Sequence, residues 1–534
     1  MINYQKTFIL TLALALFALI ALAPVAALFS SLISLKLDIS VWSWLIRKQV
    51  FPLTLNSLYV AFVASFVALV IGLPLGLAIG SHGKPLSSGF FLLFFLPLAI
   101  PPYLTASCWM DILGRSGILP GLAHKWLGME GSSSWLGGGW GAGIILGFSY
   151  FPILVYLVIS GLRALDPRHE EVGMFALPEA SIFRNITLPL LFPHISTGLL
   201  LIFLLSLTNY AVPSLVGFRT FTVKIYAYFS VFAETGGAVL LSLPLLLICL
   251  AAVFLLSYIM KDRVYFSLER SREGGSTLRL LQAKTFRVFS YGPALLITAV
   301  PILSLVFRAE SFLNLKIGFD QAKVSMISSF VTAFLISLFL TILAFFIGYA
   351  SERIRHFKTG WGRALLLFPF ALPSVLLAIG VIWLWNRPGL HWAYQSILIL
   401  TILWGAKYLP LAQRIVADHI GQLPAELEEI AFLSQFSWIR SLYRIVWPLT
   451  RPGFFVAWTV TYIFCLSELG GTLLVIPPGW DTMPIRLYNV MHYGSSSLVA
   501  ALGLFLIIMA VLPLTLLYIF GKKMHRFRYS DIEK

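Results

Sequence analysis

Glu468 is the residue whose placement asks most of its chemistry. It follows residues 454–466, a run with few polar groups. In hydrocarbon its charge would need a partner or water. A carboxylate there lines or gates a path, pairs structurally with a nearby arginine, or sits at the outer membrane boundary. Asn209 holds the matching place in an earlier stretch: Ser206-Leu207-Thr208-Asn209 aligns with Cys465-Leu466-Ser467-Glu468. Asn209 is neutral, so any role of the pair would be one-sided. Beyond them Lys224-Ile225-Tyr226 aligns with Arg486-Leu487-Tyr488, and both cations suit snorkelling at an outer interface.

Other chemistries find little support. No phosphate-binding Gly-rich loop occurs, because Gly83-Lys84 is followed by Pro85 and Gly521-Lys522 by Lys523. His82, His124, His169 and His194 are scattered, with no H-x-x-x-H pattern or carboxylate cluster, so neither a metal site nor a hydrolytic one is indicated. Cys108, Cys249 and Cys465 lie in or beside apolar segments without paired spacing and read as small core residues. No cofactor is expected, and the chain does not read as an enzyme.

The elements that must position Glu468 are membrane spans. The 534 residues are 59% hydrophobic and 11% charged, with mean hydropathy +0.89, which no soluble domain of that size matches. The fold class expected is all-α and polytopic. Segments near 7–29, 56–80, 90–112, 141–160, 195–216, 237–260, 287–307, 326–350, 364–385, 395–415, 453–475 and 496–520 are each long enough to cross hydrocarbon, giving twelve. A cleaved signal peptide competes for the first, since Ala21, Ala23, Ala26 and Ala27 fall late in the run. The net charge of +16 could suggest nucleic acid, but the basic residues sit in short loops and read as topology signals. No nucleic-acid partner is expected; the lipid bilayer is.

Residues 261–286 form a basic linker containing Gly274-Gly275-Ser276. Its positive excess places it in the cytoplasm. It separates a first membrane-spanning half, 1–260, from a second, 287–534. The halves repeat. Pro97-Leu98-Ala99-Ile100-Pro101 matches Pro369-Phe370-Ala371-Leu372-Pro373, and Ser57, Ala61, Phe62, Ser65, Gly76 and Ala78 match Ser329, Ala333, Phe334, Ser337, Gly348 and Ala350. The prolines are expected to kink helices. An even span count puts both termini in the cytoplasm and the 111–140 loop outside. Two six-span halves of equal parity imply a parallel duplication, with a path at their interface.

Residues 426–453 read as one amphipathic helix that cannot be a span. Ile430, Leu433, Phe436 and Ile439/Leu442 make an apolar stripe, Glu426, Glu428 and Glu429 crowd the first turn, Arg440 and Arg444 fall near the end, and Pro448 stops it. A second copy starts at Asp166-Pro167, carries Glu170 and Glu171, and ends at Asn185-Ile186-Thr187-Leu188-Pro189. Asp166 can cap it, and Pro178 splits it. Taken alone, either could lie on lipid headgroups; two copies at equivalent places favour docking elements.

These two segments resemble the cytoplasmic coupling motif of ABC importer permeases, which has a Glu-Ala-Ala start, a Gly after it and a Leu-Pro or similar pair further on. Glu429-Ile430-Ala431 with Pro448 keeps the family spacing, with Gln435 in the Gly position; Glu170-Glu171-Val172 with Leu188-Pro189 keeps it too, with Ala176 there. The fused arrangement, the stretch Ser467-Glu468-Leu469-Gly470-Gly471-Thr472-Leu473-Leu474 and the stretch Thr482-Met483-Pro484-Ile485-Arg486-Leu487-Tyr488 are similar to ferric-iron and thiamine importer permeases in particular. The resemblance implies a permease in the bacterial inner membrane that forms the path for a small solute. A periplasmic substrate-binding protein delivers the solute, and a separate ABC ATPase dimer supplies the energy. It further implies that Glu170, Glu171, Met174, Leu177, Glu429, Ala431, Leu433 and Phe436 form the coupling helices that contact the ATPase, that Asn209 and Glu468 belong to the path, and that Lys224 and Arg486 could face the delivery protein. A twelve-span secondary transporter would need ion-coupling carboxylates in several spans, where Glu468 is nearly alone. A membrane-embedded transferase would need clustered Asp, Glu or His.

Overall fold

The computed structural model describes residues 4–34, 50–81, 88–115, 117–127, 135–259, 278–354, 357 and 359–530. Every regular element among them is helical, as a chain that must satisfy its backbone inside lipid requires. Among the described residues nine helices are long and apolar enough to cross a membrane. Two more candidates are bent pairs, Leu93–Ala99 with Pro102–Trp126 at 104° and Gly360–Ala371 with Ser374–Trp385 at 93°, bringing the total to eleven. The remaining expected span, near 395–415, is the 24-residue helix Leu398–Gly421. It is long enough to span, but Lys407, Gln413, Arg414 and Asp418 lower its hydropathy, and it is buried along most of its length.

The bends sit where the repeated prolines predict them. Pro101 and Pro373 adopt nearly the same backbone, φ −55°, ψ 136° and φ −57°, ψ 137°, each just ahead of the second helix of its pair. Lacking an N–H, proline cannot carry the ladder across the junction.

The segment 426–453 is not one helix. Glu426–Leu433 ends in a turn in which the Phe436 N–H bonds the Ala431 carbonyl at 3.0 Å and Gln435 takes φ +61°, the left-handed closure common at helix C-termini. Ser437 then caps Trp438–Ser441, its Oγ accepting from the Arg440 N–H. Nor does Pro448 stop the chain. It lies in the first turn of Trp447–Ser467, where its missing N–H costs nothing, so the helix continues into a 30-residue span, Trp438–Ser467. The first copy breaks as expected. Arg168–Met174 is followed by Pro178 and Glu179–Ile182, and Asp166 accepts the Arg168 N–H at 3.0 Å. Both copies then pass through a π-helical turn at matched positions, Phe183–Thr187 and Leu442–Val446.

The first helix of each half packs against the other half. Tyr4–Phe17, a π turn at Ala18–Leu22 and Ala23–Ser34 lie on Phe312–Arg353, Leu398–Gly421 and Ser374–Trp385. The approach is close: a Cβ on Gly380 would stand 2.2 Å from the Pro24 carbonyl oxygen, and one on Gly405 2.4 Å from Ile20. Reciprocally, Lys284–Arg308 lies on Val50–Gly80 and Ser88–Ala99 of the first half. Tyr291 stacks on Phe94 at 5.5 Å between centroids, and Arg308 pairs with Asp111. Of the expected linker, 261–277 falls outside the described residues. In the remainder, Arg279–Gln282 is helical, Leu278 and Leu281 are buried, and Gln282 donates to the Ser81 carbonyl at 3.4 Å.

Candidate functional site

The helices that carry Asn209 and Glu468 end together at the middle of the molecule. Leu188–Leu207 gives way to Thr208-Asn209, and Trp447–Ser467 to Glu468. In each half the side chain at this break accepts from a backbone N–H three residues on: Asn209 Oδ1 from Val212 and Glu468 Oε1 from Gly471, both at 3.0 Å. Each also meets a tyrosine from the neighbouring span. Asn209 Nδ2 donates to Tyr150 Oη at 3.3 Å, and Tyr408 Oη donates to Glu468 Oε2. Tyr150 and Tyr408 precede Pro152 and Pro410 by the same interval, so the halves build one scaffold twice.

Glu468 is buried, and among the described residues its partners are a phenol and an amide N–H. Among the described residues no arginine pairs with it within salt-bridge distance. A cavity of about 80 Å³ opens beside it, walled by both halves, with Tyr103, Tyr150, Asn209, Lys407, Tyr408 and Glu468 among its lining. Two polar atoms of that wall, Tyr103 Oη and Ser467 Oγ, have no hydrogen-bond partner, an arrangement that calls for water or a ligand.

Lys407 escaped the sequence reading. It is buried beside Tyr408, and its Nζ donates to the Phe370 carbonyl at 2.8 Å, the Leu372 carbonyl at 2.5 Å and Thr208 Oγ1 at 3.5 Å. The two carbonyls belong to the bend at Pro373, where the broken helix leaves acceptors without intrahelical donors, and a cation suits that negative end. Ser149 occupies the matching place in the first half and bonds within its own helix, to Ile145 O at 3.0 Å. The argument applied to Glu468, a charge within an apolar span, would have singled out Lys407 too.

Lys224 and Arg486 have local partners. Lys224 lies 5.4 Å from the Tyr228 ring centroid, and Arg486 pairs with Asp481 at 3.5 Å, half exposed. Their helices, Phe221–Ser230 and Met483–Tyr493, are held alike. Ser57 Oγ accepts the Phe221 N–H at 3.0 Å and Ser329 Oγ the Met483 N–H at 2.7 Å, while Asn56 and Ser328 donate to the Arg219 and Asp481 carbonyls. The matched serines of the repeat therefore tie matched helices.

At the opposite end lie the two broken amphipathic segments. Glu170 is buried and accepts from Thr187 Oγ1 at 2.7 Å, and Ala431 is also buried. Both face into their own fold. Glu171 and Glu429 are exposed. Met174, Leu177 and Leu433 are exposed as well, Leu433 at 80%, while Phe436 is half-buried beneath Arg440, 4.6 Å from its ring. Phe175, exposed at 91%, and Phe432, at 68%, were missed. Glu428 anchors the second segment to the end of Phe312–Arg353, accepting from Arg353 Nε at 2.7 Å and from Tyr349, which also accepts from Trp438 Nε1 at 3.0 Å.

Residues 72–264 match the family described as "Binding-protein-dependent transport system inner membrane component". The chain is 25% identical over 443 residues to the Fe(3+)-transport system permease protein FbpB 2 of Haemophilus influenzae, covering 79% of this chain and 80% of that one. It is 21% identical over 439 residues to the ferric transport system permease protein FbpB of Actinobacillus pleuropneumoniae, covering 77% of this chain and 63%, under two thirds, of the relative. Over 215 residues it is 24% identical to the putative 2-aminoethylphosphonate transport system permease protein PhnV of Salmonella typhimurium, covering 40% and 78%.

Proposed function

We propose that this chain is a membrane permease of the binding-protein-dependent importer type, whose two halves enclose the path of a small solute at the Asn209–Glu468 level. The observation that carries this reading is the cavity between the halves, walled by a scaffold that each half builds once. The excess of basic residues in the short loops supports a cytoplasmic position for both termini, the linker and the two broken amphipathic segments, on the inner face of a bacterial inner membrane. There the exposed apolar side chains around Phe175 and Leu433 fit grooves on two copies of a separate ATPase. The Phe221–Ser230 and Met483–Tyr493 helices face the periplasm, where a binding protein would deliver the solute. Nucleotide binding would draw the two segments together, and Glu428 with Arg353 would pass that motion to the long helix Phe312–Arg353. The ferric permeases among the relatives favour ferric ion over the alternatives, thiamine included.

The test is uptake into proteoliposomes holding the permease with its ATPase and binding protein. Uptake should require ATP and both partners. Uptake driven by an ion gradient, with no ATPase present, would replace this reading with a secondary transporter.

A further inference from the structure

We propose that the central cavity is itself a transit site for a hard metal cation, ligated by the Glu468 carboxylate and tyrosine phenols, with Lys407 supplying the counter-charge while the site is empty. The proposal rests on the importer reading above but goes further, since a permease could pass its solute without ligating it.

The lining decides the class of ligand. Its side-chain oxygens include those of Glu468, Tyr408, Tyr150, Tyr103, Asn209 and Ser467, and neither cysteine nor histidine is among the lining residues. Carboxylate, phenol and carbonyl oxygen suit hard cations, whereas softer metals draw on sulfur and imidazole. Tyr103 is 1% exposed, and its hydroxyl has no partner. Tyr408 and Glu468 already share one hydrogen bond, so two donors are held side by side before anything binds.

An oxyanion fits this cavity poorly. Ionised Glu468 is acceptor-only and would repel it, and the one buried cation beside it has no donor to spare. Lys407 has three N–H bonds, and its three acceptors are Phe370 O, Leu372 O and Thr208 Oγ1. Its charge is engaged by the end of the broken helix, yet it lines the same cavity as Glu468. It can balance that carboxylate without occupying the cavity. The first half contributes no charge at the matching places, Ser149 and Asn209, so the negative wall is on one side only.

The test uses the full-length permease in detergent with ferric nitrilotriacetate as probe. When a phenol replaces a chelator oxygen on iron, its proton passes to the released chelator, and the iron–phenolate pair absorbs visible light. Wild type and Tyr59→Phe should show that band. Glu468→Gln should weaken binding at least tenfold. Tyr408→Phe should lower the band per bound iron. Lys407→Gln, which keeps donors but removes the charge, should bind iron severalfold more tightly, an effect opposite in sign to that of Glu468→Gln. A merely structural pair would lose binding in both. No band in wild type, equal binding by Glu468→Gln, or retention of molybdate in place of iron would overturn the proposal. Capture of the ATPase by the same preparations reports on the importer reading separately; it should be unchanged in Glu468→Gln and Tyr408→Phe, which also shows that the variants are folded.

Discussion

Gly453 carries no side chain because a histidine ring fills the place of one. A Cβ there would stand 2.2 Å from His419 Cγ. The first half exchanges the partners, with Gly161 on the earlier helix facing His194 on the later one at 2.8 Å. Overpacking such a contact typically costs about 1–3 kcal/mol. Gly453→Ala should therefore lower the thermal midpoint in detergent more than Gly161→Ala, and equal midpoints would show that His419 can swing aside. Gln435 poses the complementary case, since its left-handed φ of +61° costs an L-residue roughly 1–2 kcal/mol. Gln435→Gly should raise the midpoint and Gln435→Val lower it. The family's glycine at this place has its physical reason here. Sequence could flag the departure but not the dihedral. It flagged Glu468 for the same reason it should have flagged Lys407, yet only coordinates reveal that Lys407 is held by carbonyls of a bend more than thirty residues away.

At the scale of elements, prolines were legible and the serine-capped break was not. Pro101, Pro178 and Pro373 each act on the backbone directly, so a chain reader finds them. The break after Leu433 hides inside an unbroken apolar periodicity, because Ser437 and Gln435 are compatible with a helix until the turn closes. The consequence is a different set of exposed apolar side chains, Phe175 and Leu433 among them. Truncating or charging a buried interface hot spot typically costs about 2 kcal/mol or more, and the side chains now expected to be hot spots are Phe175 and Leu433. Leu433→Asp and Phe175→Asp should each abolish capture of the ATPase in a detergent pull-down while the permease still inserts and purifies. Glu171→Gln, on an exposed carboxylate, should change capture little. Full retention by both apolar variants would mean that these loops rest on lipid.

Across the whole molecule, the repeat could be read from matched residues, but the exchange of first helices could not. Sequence orders segments along the chain and says nothing about which neighbour a helix chooses in the membrane. The exchange predicts that the halves hold together without their covalent link. Residues 1–260 and 261–534 expressed as two chains should co-purify, because each contributes a helix that the other packs against. Independent migration of the two would remove that explanation for the close approaches at Gly380 and Gly405.

The exchange also sets a timetable for synthesis. Ala23–Ser34 leaves the ribosome long before its partner Ser374–Trp385 exists. At roughly 5–20 residues per second, the first helix waits on the order of half a minute in the bilayer. During that interval its contact face, with Phe17, Ala21 and Leu28, is open to lipid or to whatever insertion factor stands by. A nascent chain stalled before residue 374 would thus present an unpartnered helix, a state that quality control in the membrane can recognise and that the finished protein never shows.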